Sequence, residues 1–132
     1  MNVADADRTL SVLRHNRGMS ADTSPVDLSH LDRYTGGNEA LNREILALFS
    51  TQAEELFTGL RKANQAGDDK SWREHAHALK GGARGIGAFG IGELAATLEK
   101  QSPKGYGAKR GLAALADEMR LVANFIALYR RS

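Results

Sequence analysis

The last quarter of the chain constrains the fold most tightly: Leu112, Leu115, Met119, Val122, Ile126 and Tyr129 recur at steps of 3, 4, 3, 4 and 3. Apolar residues at alternating threes and fours fall on one stripe of an α-helix. A stripe this regular is the seam of a helical bundle. The same period runs through Leu41, Ile45, Leu48, Phe49, Ala53, Leu56, Phe57 and Leu60. It continues in Trp72, Ala76, Leu79, Ala83 and Ile86, and in Ile91, Leu94, Ala95 and Leu98. Leu28, Leu31 and Tyr34 line up over a shorter stretch. No apolar/polar alternation of the strand type occurs. The expected fold is all-α, an antiparallel up-down-up-down four-helix bundle with a short extra N-terminal helix.

Breaks between these segments carry helix-end chemistry. Asp27 and Asn38 are N-cap residues, Gly36-Gly37 interrupts the chain, and Ala66-Gly67-Asp68-Asp69 closes one long helix and opens the next with acidic residues. Gly85, Gly87, Gly90 and Gly92 predict a helix end near Gly87. Gln101 to Gly107 reads as a loop, with the last helix running from Ala108. Residues 1–24 mix small and charged side chains with few apolar ones and are expected to form a flexible or loosely docked tail, leaving 25–132 as the bundle domain.

A chain of 132 residues can bury one core without staples. It has no cysteine, which excludes disulfides and thiolate metal sites. No apolar run reaches the ~20 residues that span a bilayer, and the first thirty residues lack a secretory h-region, so a cytoplasmic protein is expected. The net charge of +2 is spread thinly, with no block of Lys and Arg and only eight aromatic residues. That composition argues against nucleic acid and for an acidic protein surface as partner. A self-contained bundle is expected to be a monomer.

The chemistry concentrates in Ser71 to Ile86. On a wheel of about 100° per residue, His77 falls roughly 140° from the middle of the apolar stripe and therefore points to solvent. Arg73, Lys80, Gly81 and Arg84 share its face. His75 falls about 60° from the stripe's centre, at the core's edge, and is expected to be structural.

At these residues the chain resembles the histidine-containing phosphotransfer (HPt) domains of multistep His-Asp phosphorelays. Ala76-His77-Ala78-Leu79-Lys80-Gly81 follows the family's H-x-L-K-G signature, Ile86-Gly87-Ala88 closes the same helix, and Ile91 and Leu98-Glu99 match in the next. Ile91 stands where the family usually has leucine, and Gly82 where it often has serine. The looser resemblance extends from about Asp27 to Tyr129. It implies the same bundle and a carrier role: His77 accepts a phosphoryl group from an aspartyl phosphate on a receiver domain and hands it to an aspartate on another. The implied partners are receiver domains of response regulators and of hybrid sensor histidine kinases.

The residues suit that chemistry. Phosphoryl transfer needs a nucleophile in line and positive charge around the equatorial oxygens. A neutral imidazole, abundant at pH 7, supplies the nucleophile. Lys80 is the expected phosphate-stabilising cation, and Arg84 and Arg73 are candidates for phosphate or partner contact. Gly81 leaves clearance for a docking partner at about 1 kcal/mol relative to alanine. The chain has neither a Walker A motif nor the kinase signature set, so it is expected to carry the group without making it and to be no enzyme. No cofactor is expected in this chain; Mg²⁺ would belong to the receiver.

Other readings are weaker. Gly85-Ile-Gly-Ala-Phe-Gly90 spells a dinucleotide fingerprint but follows a polar helix, with no βαβ unit around it. His75 and His77, two apart on a helix, point about 200° away from each other and cannot share a metal. Ala78 stands where the dimerising module of sensor kinases typically has an acidic residue. The main alternative is a helical adaptor that binds another signalling protein without phosphate chemistry. The group that orients the His77 ring is open, with Gln52 and Asn124 as candidates.

Overall fold

The computed structural model describes residues 24–131, so the expected N-terminal tail lies outside the described residues except for Ser24. Five helices follow: α1 (Leu28–Thr35), α2 (Glu39–Ala66), α3 (Asp69–Ile86), α4 (Phe89–Lys100) and α5 (Tyr106–Arg131). No strand occurs among the described residues. None of their helices is long and apolar enough to cross a membrane.

The helix ends are where the capping residues put them. Asp27 accepts from the backbone N–H of Ser29 at 3.0 Å, Asn38 from that of Leu41 at 3.0 Å and Asp68 from that of Ser71 at 3.1 Å. Helix α3 stops at Gly87, which takes the left-handed conformation at φ 87°. The chain also crosses itself there: the Asp27 N–H donates to the Gly87 carbonyl at 2.9 Å, and a Cβ on Gly87 would sit 2.6 Å from the Asp27 oxygen. Glycine is required at that corner by conformation and by space alike. Helix α5 starts at Tyr106, two residues earlier than its composition suggested, after a turn at Gly105.

Two-residue connections make α2, α3 and α4 run alternately up and down, and a short loop returns α5 beside both α2 and α4. Helix α1 lies against α2 and α3. This is the expected four-helix bundle with its extra N-terminal helix. Trp72 is wholly buried, and its indole N–H donates to the Leu98 carbonyl at 2.7 Å, which ties α3 to the end of α4.

The α2 stripe differs from the expected one. Its buried residues are Asn42, Leu46, Phe49, Ala53, Leu60 and Ala63, while Leu48 is 67% exposed. Asn42 is tolerated because its groups are satisfied: its amide donates to Asp32 Oδ1 at 2.9 Å and to the Tyr129 hydroxyl at 3.1 Å, and its oxygen accepts from Thr35 at 2.6 Å. The network clamps α1, α2 and α5 together. Tyr34, expected on the α1 stripe, is also exposed and meets the His30 ring edge-on instead.

Candidate functional site

Helix α3 is buried along Trp72, Ala76, Leu79, Ala83 and Ile86, so its opposite face is presented to solvent. His77 stands there, its side chain 73% exposed. The ring has one polar partner across the helix pair. Its Nδ1 lies 3.1 Å from Glu99 Oε1 on α4. An ionised carboxylate can only accept, so Nδ1 is the donor of this bond, and in the neutral ring the lone pair is then on Nε2.

Glu99 is itself held. Lys80 Nζ lies 3.0 Å from its Oε1 and 3.2 Å from its Oε2, and the two side chains are only about a fifth exposed. The Lys80 hydrogen bond is the strongest influence on the carboxyl and keeps it below the ordinary carboxylate value. Partial burial opposes this, while the hydrogen bond from His77 and the charges of Lys80 and His77 reinforce it. The site is thus a triad of imidazole, carboxylate and ammonium bridging α3 and α4.

The orienting group is Glu99, not Gln52 or Asn124. Gln52 lies instead beside Gly82, where an added Cβ would come within 3.1 Å of its Oε1. The register of α4 on α3 depends on the buried Trp72–Leu98 bond, and Glu99 is the residue after Leu98. Leu98-Glu99 belonged to the resembling segment, and that was the available signal for it.

The remaining predicted residues separate. Arg73, with Glu74, His77 and Glu99, lines a shallow recess beside the ring. Arg84 is exposed but lays its stem against Gly92 of α4, seven residues before Glu99. Only Lys80 and Arg73 of the three predicted cations flank the His77–Glu99 pair. Among the described residues Gly81 faces open space, since a Cβ there would meet nothing within 4 Å, and the same holds for Gly85, two residues before the helix-ending Gly87. Beyond them an apolar groove is lined by Ile45, Leu48, Phe49, Gln52, Gly82 and Ile86.

His75 has a different environment. Its Nδ1–H donates to the Ser71 carbonyl at 2.7 Å, and its ring lies on Gly59 of α2, where any Cβ would collide with it. The two histidines therefore face different helices.

Comparison with known proteins agrees with this fold. The family model of the Hpt domain matches residues 44–125. Among solved structures, the crystal structure of histidine-containing phosphotransfer protein B (HptB) from Pseudomonas aeruginosa PAO1 is similar, with a TM-score of 0.69 and 25% identity over 83% of this chain and 96% of that one. No curated protein sequence matches.

Proposed function

The chain belongs to the Hpt domain family, and from that premise we propose that its His77 Nε2 shuttles a phosphoryl group between aspartates of receiver domains. Membership already makes it a histidine phosphotransfer carrier of a phosphorelay; the donors, the acceptors and the residue roles are the proposal. The observation that carries it is the exposed ring with its proton fixed on Nδ1 by Glu99, which leaves the Nε2 lone pair directed away from α4.

In the accepting step, Nε2 attacks the phosphorus of an aspartyl phosphate. The N–P bond forms as the P–O bond breaks, and the aspartate leaves as a carboxylate. Lys80 uses its remaining donor capacity on the equatorial oxygens, and the charge of Arg73 favours approach of the acidic receiver pocket. Any Mg²⁺ resides in that pocket. Arg84, displaced along α4, is a partner contact rather than a phosphate ligand.

Gly81 and Gly85 support close docking. Each lowers the stability of α3 by about 1 kcal/mol relative to alanine, yet nothing in the described residues occupies the space their side chains would fill. In this reading the space is left for a docking receiver domain. Beside this shelf, the groove with exposed Leu48 offers apolar area for the same partner.

The test is incubation with receiver domains carrying radiolabelled aspartyl phosphate. A carrier takes the label and returns it to a second receiver. An adaptor binds and stays unlabelled, and that result across a broad receiver panel would reject the relay.

A further inference from the structure

We infer that a face of the bundle away from His77 holds a second site, a groove between α2 and α5 that takes a straight-chain fatty acid, an apolar tail with one anionic head. The inference goes beyond the relay reading and stands whether or not His77 carries phosphate.

Helix α5 packs beside α2 and α4 and so lies across the bundle from α3. Where it runs along α2, two recesses meet at Ala116. One is lined by Ala53 and Met119, the other by Phe57 and Leu112. Phe57 and Met119 pack on the core yet stay partly exposed, so among the described residues the groove has an apolar floor open to water. Between Lys109 and Ala123, the α5 residues at its two ends, the helix rises about 20 Å. A long, narrow, apolar floor suits an extended hydrocarbon chain better than a compact ligand.

The two ends differ in charge. At the end near the α4–α5 loop, the rim carries Arg61 and Gln65 from α2 and Lys109 from α5. Both cations are exposed, and no carboxylate of the described residues pairs with either. Asn64 closes this end, its amide donating to the Pro103 carbonyl at 2.6 Å and so tying the loop to α2. At the other end the rim charges balance: Arg120 is bonded to Asp117 at 3.2 Å, and Glu54 of α2 lines the same recess. A ligand with one negative end therefore has a single preferred direction. Its carboxylate accepts from Arg61 and Lys109, and its tail runs past Ala116 toward Met119. A cationic head gains nothing at that mouth.

The test titrates the ¹⁵N-labelled full chain with dodecanoate, kept below its micelle concentration, and follows ¹H–¹⁵N correlation spectra. Saturable shifts are expected at Phe57, Arg61, Lys109, Leu112 and Ala116, with His77 and Lys80 unmoved. Decanoate, two methylenes shorter, should bind about fivefold more weakly because less tail leaves water. Dodecyltrimethylammonium, with the same tail and the opposite charge, should bind about tenfold more weakly, the scale of a lost charge-assisted contact. The double variant Arg61→Glu, Lys109→Glu should reverse the order of the two head groups. Both side chains are exposed, so its helical circular dichroism should match wild type. Absence of saturable shifts, equal affinity for the two head groups in wild type, or shifts centred on the Leu48 groove would overturn the inference. So would a dimer of the ligand-free chain with the α2–α5 groove buried at its interface.

Discussion

Two histidines stand two residues apart on one helix, and their surroundings have almost nothing in common. His75 is half-buried, bonded to its own helix's backbone and flattened on a glycine of α2. His77 is largely exposed and bonded to a carboxylate on α4. The glycines divide in the same way. Gly59 and Gly82 are small because α2 and α3 pack through them, whereas Gly81 and Gly85 are small with nothing among the described residues within 4 Å of where a Cβ would sit. A residue type therefore says little until it is known which helix it faces: the α2 side of α3 is built for packing, and the outer face for a visitor.

The largest break in that comparison is His77→Gln, expected to abolish phosphoryl acceptance from a labelled receiver while helical circular dichroism is unchanged. His75→Gln should accept at near the wild-type rate, and loss of labelling there would invert the assignment. Next comes Gly59→Ala, whose methyl group must displace the His75 ring. A loss of about 1–3 kcal/mol in urea unfolding is expected, with transfer by the folded protein retained.

For Lys80→Ala, transfer should slow by about tenfold, as loss of one charge-assisted contact implies, and its rate should depend less steeply on salt than that of wild type. An unchanged rate would remove Lys80 from phosphate stabilisation. The smallest effect has the opposite sign. Gly81→Ala and Gly85→Ala should each raise stability by about 0.5–1 kcal/mol in the same unfolding assay, while Gly81→Ala slows transfer. Faster or equal transfer would show that the open space serves no partner.

The triad also contributes a pH dependence. Because the folded state lowers the Glu99 carboxyl below its ordinary value, the folded chain binds that proton more weakly than the unfolded chain. Its stabilisation is present above the ordinary carboxylate value and is lost as pH falls through the lowered one. Glu99→Gln should flatten this part of the acid unfolding curve by a small amount, since the pair is partly exposed and solvent-screened.

Much of this was legible in the sequence because it is local. Asp27, Asn38 and Asp68 mark helix starts, and Gly87 marks an end, within a turn of the groups they satisfy. The outward turn of His77 follows from the α3 stripe alone. Glu99 was not legible as the ring's partner, because 22 residues separate the two and their meeting depends on how α4 seats on α3. The α2 stripe was misread for a related reason. Leu48 has core-like chemistry but lies outside the contact, while Asn42 has surface chemistry yet is buried because Asp32, Thr35 and Tyr129 converge on it. Periodicity locates a face; it does not report which polar groups two other helices bring to it.

The central claim concerns one nitrogen, and it can be read directly. After transfer from a phosphorylated receiver domain, NMR of the ¹⁵N-histidine-labelled chain should show phosphorus bonded to Nε2 of His77, with Nδ1 still carrying hydrogen. Phosphorus on Nδ1 of that ring, or on His75, would contradict the account.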